Sequence, residues 1–209
     1  VRSAADVDAL PVPDPEDELR YVMDAVRLIR RTLNNRIPLI GFSGSPWTLA
    51  TYMIEGGSSK TFGKAKKLLY QDPATAHLLL EKLADTVTDY LNAQIEAGAQ
   101  AIQIFDSWVG ALSAGDARRW ALRPARRLLE ATKGLGVPRI YFALNNAHLL
   151  DAIGESEADV LGMDWRVPLA DAWKTIGHDT VVQGNLDPHV LLADGGEIRR
   201  RAKAILDQA

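Results

Sequence analysis

The chain has 209 residues, no cysteine, and a formal charge of −3 from 24 Lys and Arg against 27 Asp and Glu. Within these residues the lack of cysteine excludes a disulfide scaffold, a thiolate zinc site and a cysteine nucleophile. The 47% apolar and 24% charged residues give a globular balance, with no apolar run near the ~20 residues of a membrane helix and no global basic field for nucleic acid.

Residues 1–13 read as an extended, proline-spaced lead-in. A helix is predicted from Asp14 and Pro15, a capping residue followed by proline, with Glu16 and Asp17 at its positive end. Leu19, Val22, Met23, Val26, Ile29 and Leu33 recur at helical spacing. The apolar run Ile37-Pro38-Leu39-Ile40-Gly41-Phe42 predicts a buried strand, closed by the loop Ser43-Gly44-Ser45-Pro46. Short helices follow over 47–54 and 61–70, separated by Gly56-Gly57-Ser58-Ser59. That glycine-rich stretch, with Lys60, resembles a phosphate loop only in composition and reads better as a flexible loop.

Asp72-Pro73 repeats the cap-then-proline start. Leu80, Leu83, Val87, Leu91 and Ile95 form one apolar stripe, and Gly98 can end that helix. A strand over 101–105 runs into Asp106-Ser107. Ser113 opens a helical stretch that Pro124 interrupts or restarts. Strands over 139–144, 160–163 and 180–184 follow, with helices over 148–153, from Pro168, and from Glu197. The alternation implies an α/β fold with a parallel sheet and crossover helices.

Every strand runs into polar residues: Ser43, then Asp106 and Ser107, Asn145 and Asn146, Asp164, and Asn185 with Asp187. A (β/α)8 TIM-type barrel places its active site at that edge, whereas an open doubly wound sheet uses only one crevice. The polar endings favour the barrel. Five strands fall short of its eight units, so residues 1–209 are expected to be one barrel domain, incomplete and truncated at both ends. Val1 without a signal-peptide pattern, and an end at Ala209 without a helix stop, carry the same expectation.

No general motif assigns a chemistry. His77, His148, His178 and His189 are dispersed and fit surface or capping roles, His148 lying nearest a strand end. Asp106, Asp164 and Asp187 suit either substrate contact or turn formation. Arg118, Arg119, Arg126 and Arg127 read as a solvated helix face more readily than as an anion cradle.

The segment Gly41-Phe42-Ser43-Gly44-Ser45-Pro46-Trp47-Thr48-Leu49-Ala50-Thr51-Tyr52-Met53-Ile54-Glu55-Gly56-Gly57 resembles the signature of the uroporphyrinogen decarboxylase family. Tyr90 to Gln100, Ile104-Phe105-Asp106-Ser107, Gly162-Met163-Asp164-Trp165 and Gln183-Gly184-Asn185-Leu186-Asp187-Pro188 agree in order and spacing. The resemblance implies a barrel enzyme of haem biosynthesis, cytoplasmic and homodimeric, with no metal or organic cofactor. Such enzymes convert the acetate side chains of uroporphyrinogen III to methyls, giving coproporphyrinogen III and carbon dioxide. Protonation of a pyrrole carbon makes the ring the electron sink, so the protein orients an anionic macrocycle and stabilises positive charge.

Residue by residue, the resemblance implies substrate contact by Tyr52, Ser107 and the cleft-lining Phe42. Tyr52 and Ser107 are expected to bond substrate carboxylates, not to deliver the proton. The family's Arg-Gln-Ala-Gly-Arg motif, its catalytic aspartate and its C-terminal Gly-His segment do not occur here, so the main catalytic residue is expected outside this chain. Asn145 and Asn146 stand where many members carry Lys and Gly. Two alternatives are the related zinc-dependent corrinoid or thiol methyltransferases, whose usual ligands include the cysteine lacking here, and a non-catalytic fragment. The chain by itself is expected to be inactive.

Overall fold

The computed structural model describes residues 1–57 and 59–208. In chain order it contains α1 (Ala4–Asp8), α2 (Arg20–Leu33), β1 (Ile40–Gly44), α3 (Pro46–Glu55), α4 (Gly63–Gln71) and α5 (Pro73–Glu96). Then come β2 (Ala101–Asp106), α6 (Ala114–Asp116), α7 (Arg123–Ala131), β3 (Arg139–Ala143) and α8 (Leu150–Gly154). The last part holds β4 (Val160–Gly162), α9 (Leu169–Ile176), β5 (Val181–Gln183) and α10 (Gly195–Leu206).

The strands form one parallel sheet in the order β1-β2-β3-β4-β5. This is the expected α/β arrangement. The barrel is not closed, and β1 and β5 are the two outer strands.

The two faces of the sheet differ. The face covered by helices carries Ile102, Ile104, Tyr141 and Leu161, all fully or almost fully buried. The other face would line a closed barrel. It carries Ile40, Phe42 and Val181, at 40%, 60% and 58% exposure. In-register pairing sets Phe105 beside Phe142 and Phe142 beside Gly162 on this inner face. A Cβ on Gly162 would lie 2.8 Å from the Phe142 ring, so the missing side chain makes room for that ring.

Helix α5 crosses behind the sheet. Leu80, Leu83, Val87 and Leu91 are buried and Ile95 is partly buried, the stripe the sequence predicts. Asp72 caps α5 by accepting from the Thr75 amide, and Gly98, at φ 116°, turns the chain out of the helix. Ser113 caps α6, which continues through a π-helical segment, Ala117–Leu122, into α7, where Pro124 occupies the first turn.

Three N-terminal expectations are corrected. The buried strand expected over 37–42 spans Ile40–Gly44 instead, taking in Ser43 and Gly44, and Ile37, Ile40 and Phe42 are exposed, the last two on the face left open by the unclosed barrel. Residues 1–13 are not wholly extended, because Ser3 and Asp6 form a reciprocal capping box that starts α1. The helix expected from Pro15 begins at Arg20. Asp14 does accept from the Glu16 amide, but residues 15–19 stay a turn. Only Met23 and Val26 of the α2 stripe are buried, packed with Ala93 of α5 and with Ala97, which caps that helix, while Ile29 is 45% exposed.

Candidate active site

The three residues that the resemblance marks for substrate contact stand at or near the C-terminal edge of the sheet. Phe42 lies on the inner face of β1, edge-on to Phe105 with ring centroids 5.8 Å apart. Phe105 meets Phe142 in the same way, also at 5.8 Å, so three aromatic rings cross three strands. Ser107 follows β2 directly and is partly buried. Tyr52 projects from α3 at 50% exposure, its ring 6.1 Å from that of Trp108 and nearly perpendicular to it. Trp108 also packs against Phe62, with centroids 5.2 Å apart. Phe42 and Tyr52 thus each pack against a residue close to Ser107 in sequence, Phe105 two positions before it and Trp108 directly after it.

The local sequence explains where these side chains stand. Ser45 caps α3 by accepting from the Thr48 amide, and Pro46 fills the first helical position. The helix therefore starts directly after β1 and presents Tyr52 in its second turn. Phe42 is held through its backbone: its amide donates to Gln94 Oε1 at 3.1 Å, and its carbonyl accepts from Gln94 Nε2 at 3.0 Å.

Most of the polar strand ends are engaged by the protein itself. Asp106 is fully buried on the helix-covered side. It accepts from Thr48 Oγ1 at 3.1 Å and from the Tyr141 hydroxyl at 2.7 Å. Burial pushes its carboxyl up to about 6 against these bonds, which favour the ionised form. Burial, and then the Asp106 charge, push the Tyr141 phenol well above its ordinary value.

Asp164 is also buried. It accepts from the Asn145 amide at 2.6 Å and from Arg166 Nη1 at 2.9 Å and 3.0 Å. Arg166 stacks on the Trp165 ring. Asn185 donates to the carbonyls of Asp164 and Val167, closing the loop before α9. Asp187 caps the 3-10 turn Pro188–Leu192, and the His189 amide first, then its ring, hold its carboxyl below the ordinary range. None of these bonds uses the hydroxyl of Tyr52 or Ser107.

Asn145 is exposed at φ 57°, in the left-handed region. Asn146 is buried, and among the described residues neither atom of its side-chain amide has a hydrogen-bond partner. Gly110 packs against this turn so tightly that a Cβ would stand 2.4 Å from Asn145 Cβ.

The remaining candidates fall away from the site. His148 bonds the Leu112 carbonyl, His77 stacks on Trp120, and His178 packs against Trp173. Burial, then the charges of Arg119 and Arg123, push His77 down. Arg118 pairs with Glu155, Arg126 with Glu157, and Arg127 with Glu81 and Asp85, while Arg119 lies over Trp120. This is the solvated face expected of them. In the glycine-rich loop, Ser59 accepts from the Phe62 amide at the start of α4, while Ser58 lies outside the described residues. Among the described residues no three His, Cys, Asp or Glu side chains cluster to hold a metal ion, and no helix is long and apolar enough to cross a membrane.

A cleft of about 450 Å³ opens beside the exits of β4 and β5, lined by Trp165, Arg166, Asn185, Asp187 and Arg201 among others. It does not include Phe42, Tyr52 or Ser107, and its arginines are already paired, Arg166 with Asp164 and Arg201 with Glu197.

Sequence reasoning did not single out Thr48, Gln94, Trp108, Gly110 or Tyr141. Gln94 alone left a signal, as a polar residue three positions after Leu91 on an apolar stripe.

Comparison with known proteins adds three results. The family model described as uroporphyrinogen decarboxylase matches residues 1–209. The uroporphyrinogen decarboxylase of Aeromonas salmonicida is 50% identical over 210 residues, covering 99% of this chain and 59% of that protein. Those of Aliivibrio salmonicida and Pseudomonas putida are 51% and 52% identical, with 58% and 59% of their lengths covered. The chain thus spans less than two thirds of the relatives it matches. A methyltransferase from Methanosarcina mazei has a similar structure, with a TM-score of 0.85 over 97% of this chain and 60% of its own, at 18% identity. That likeness shows the fold alone. By the family match along its whole length, the chain belongs to the uroporphyrinogen decarboxylase family.

Proposed function

We propose that this chain is part of a uroporphyrinogen decarboxylase that converts the acetate side chains of uroporphyrinogen III to methyls without a metal or organic cofactor. The complete enzyme is then one (β/α)8 barrel domain, a cytoplasmic homodimer, of which these residues supply the central part. The observation that carries this reading is the family match over residues 1–209; the ring contacts Phe42–Phe105 and Tyr52–Trp108, on residues that flank Ser107 in sequence, support it. An apolar aromatic wall suits the macrocycle, and the hydroxyls of Tyr52 and Ser107 suit carboxylates.

In this reading the phenol of Tyr52 and the hydroxyl of Ser107 donate to substrate carboxylates and orient the ring. Phe42, Phe105 and Phe142 exclude water beside it, which strengthens electrostatic stabilisation of the protonated pyrrole. The group that stabilises that charge most directly belongs to a part of the enzyme outside this chain, so the chain alone is inactive. The three relatives named above, at about half identity, are decarboxylases by name, which favours this reading over the methyltransferase chemistry of the structural neighbour.

The test is to incubate the full gene product containing this chain with uroporphyrinogen III and follow carbon dioxide and coproporphyrinogen III. Formation of both supports the reading. A folded protein without turnover contradicts it.

A further inference from the structure

The two hydroxyl-bearing candidates come from different elements, Tyr52 from α3 and Ser107 from the end of β2. Their mutual placement depends on what joins α3 to β2. Four contacts do so. The Ser45 amide donates to the Phe105 carbonyl at 2.8 Å. The Trp47 indole donates to the Trp108 carbonyl at 3.1 Å. Thr48 Oγ1 donates to Asp106 Oδ1 at 3.1 Å, and the Tyr52 ring meets the Trp108 ring edge-on. Asp106 directly precedes Ser107, and Thr48 lies one helical turn before Tyr52.

Packing alone does not require a carboxylate here. Asp106 and Tyr141 are fully buried and Thr48 nearly so, and an apolar trio of the same volume would avoid the desolvation cost. A carboxylate with hydroxyl donors instead fixes direction, because each donor must meet a particular oxygen. Tyr141 holds Oδ2 from β3 while Thr48 holds Oδ1 from α3. The carboxylate thus sets the helix against two neighbouring strands at the level of the candidate site.

We propose that Asp106 and Thr48 are positioning residues, whose buried hydrogen bond holds α3 against β2 so that Tyr52 and Ser107 engage one substrate molecule together. The inference rests on the decarboxylase reading above. Neither residue touches the substrate, and both act through Tyr52.

The experiment is a double-mutant cycle in the full gene product, read as kcat/KM for uroporphyrinogen III. Thr48→Val keeps the volume and removes the donor. It lowers kcat/KM about tenfold, a loss in the range expected for displacement of a substrate-orienting group. Thr48→Ser, which retains the hydroxyl, restores most of the activity. In the Tyr52→Phe background Thr48→Val has little further effect, because the group it positions has already lost its hydroxyl. A merely structural role would instead give the same fold-loss in both backgrounds, and that result overturns the proposal. So does unchanged activity in Thr48→Val. If Thr48→Val does not fold, Tyr141→Phe, which frees the other carboxylate oxygen, takes its place in the cycle with the same expected pattern. Normal activity in Tyr52→Phe alone would overturn the placement of Tyr52 in the site, and the positioning proposal with it. An inactive wild-type protein would contradict the decarboxylase reading itself.

Discussion

The side-chain amide of Gln94 bonds both backbone groups of Phe42, taking its N–H on Oε1 and giving an N–H to its carbonyl. Strand β1 is an outer strand, and a helix side chain behind it satisfies the peptide groups of a residue whose ring lies on the inner face. Gly41 is part of this arrangement, since a Cβ there would stand 2.8 Å from Gln94 Oε1. Gln94→Leu leaves the amide and carbonyl of Phe42 without these partners. Loss of about 1–3 kcal/mol of unfolding free energy is expected, measured by chemical denaturation of the full gene product. Gly41→Ala should act in the same direction by displacing the amide.

Asp106 makes stability depend on pH. Its folded-state carboxyl is raised to about 6 from an ordinary value of 3.8, so the folded state holds this proton more tightly than the unfolded state. The contribution is therefore greatest below pH 3.8, falls as pH rises towards about 6, and is constant above that. Asp106→Asn removes the titration. The stability of the variant relative to wild type should improve between pH 4 and pH 6 by up to about 3 kcal/mol, measured by denaturation at several pH values. A difference independent of pH would contradict this assignment.

Gly110→Ala tests the packing of the β3 exit. The added Cβ would meet Asn145 Cβ at 2.4 Å and the carbonyl oxygens of Asn145 and Leu144 at 2.6 Å. Backbone cannot move aside as a flexible side chain can. A loss of about 1–3 kcal/mol is expected, seen as a lower Tm, together with weaker decarboxylation as the turn at Asn145 shifts.

The bare inner face predicts the behaviour of the chain by itself. Ile40, Phe42 and Val181 are exposed on it, and β1 and β5 are outer strands. The isolated 209-residue chain should self-associate, with light scattering that rises with concentration, and should show no decarboxylation. A soluble, cooperative and active monomer would contradict this.

The strands and helix starts were legible where local chemistry decides them. Apolar runs between breakers marked β2 and β3, and Asp72-Pro73 marked the start of α5 to the residue. The start of α2 differs from its sequence signal because Asp14 and Pro15 form only an isolated turn, with little apolar surface to bury before Met23. In α1 the signal lies in the Ser3 and Asp6 capping-box pattern, which the proline-spaced stretch after it obscures. The polar residues at the strand ends were legible as a group but not in their separate roles. A residue at the end of a strand can face the helices or the barrel interior, and register decides which. Asp106 alternates with Phe105, so it falls on the buried helix side, and Asp164, beyond the end of β4, is buried by its bonds with Asn145 and Arg166. Partners such as Thr48 and Gln94 join elements more than 50 positions apart, which no local pattern reveals.

The most direct measurement of the central claim is kcat/KM of Tyr52→Phe against wild type, in the full gene product, with uroporphyrinogen III as substrate. The phenol is half-exposed, so the unfolding free energy should stay within about 0.5 kcal/mol of wild type. Loss of a hydrogen bond to a substrate carboxylate predicts a fall of about tenfold or more. An unchanged kcat/KM in a normally folded variant would contradict the account.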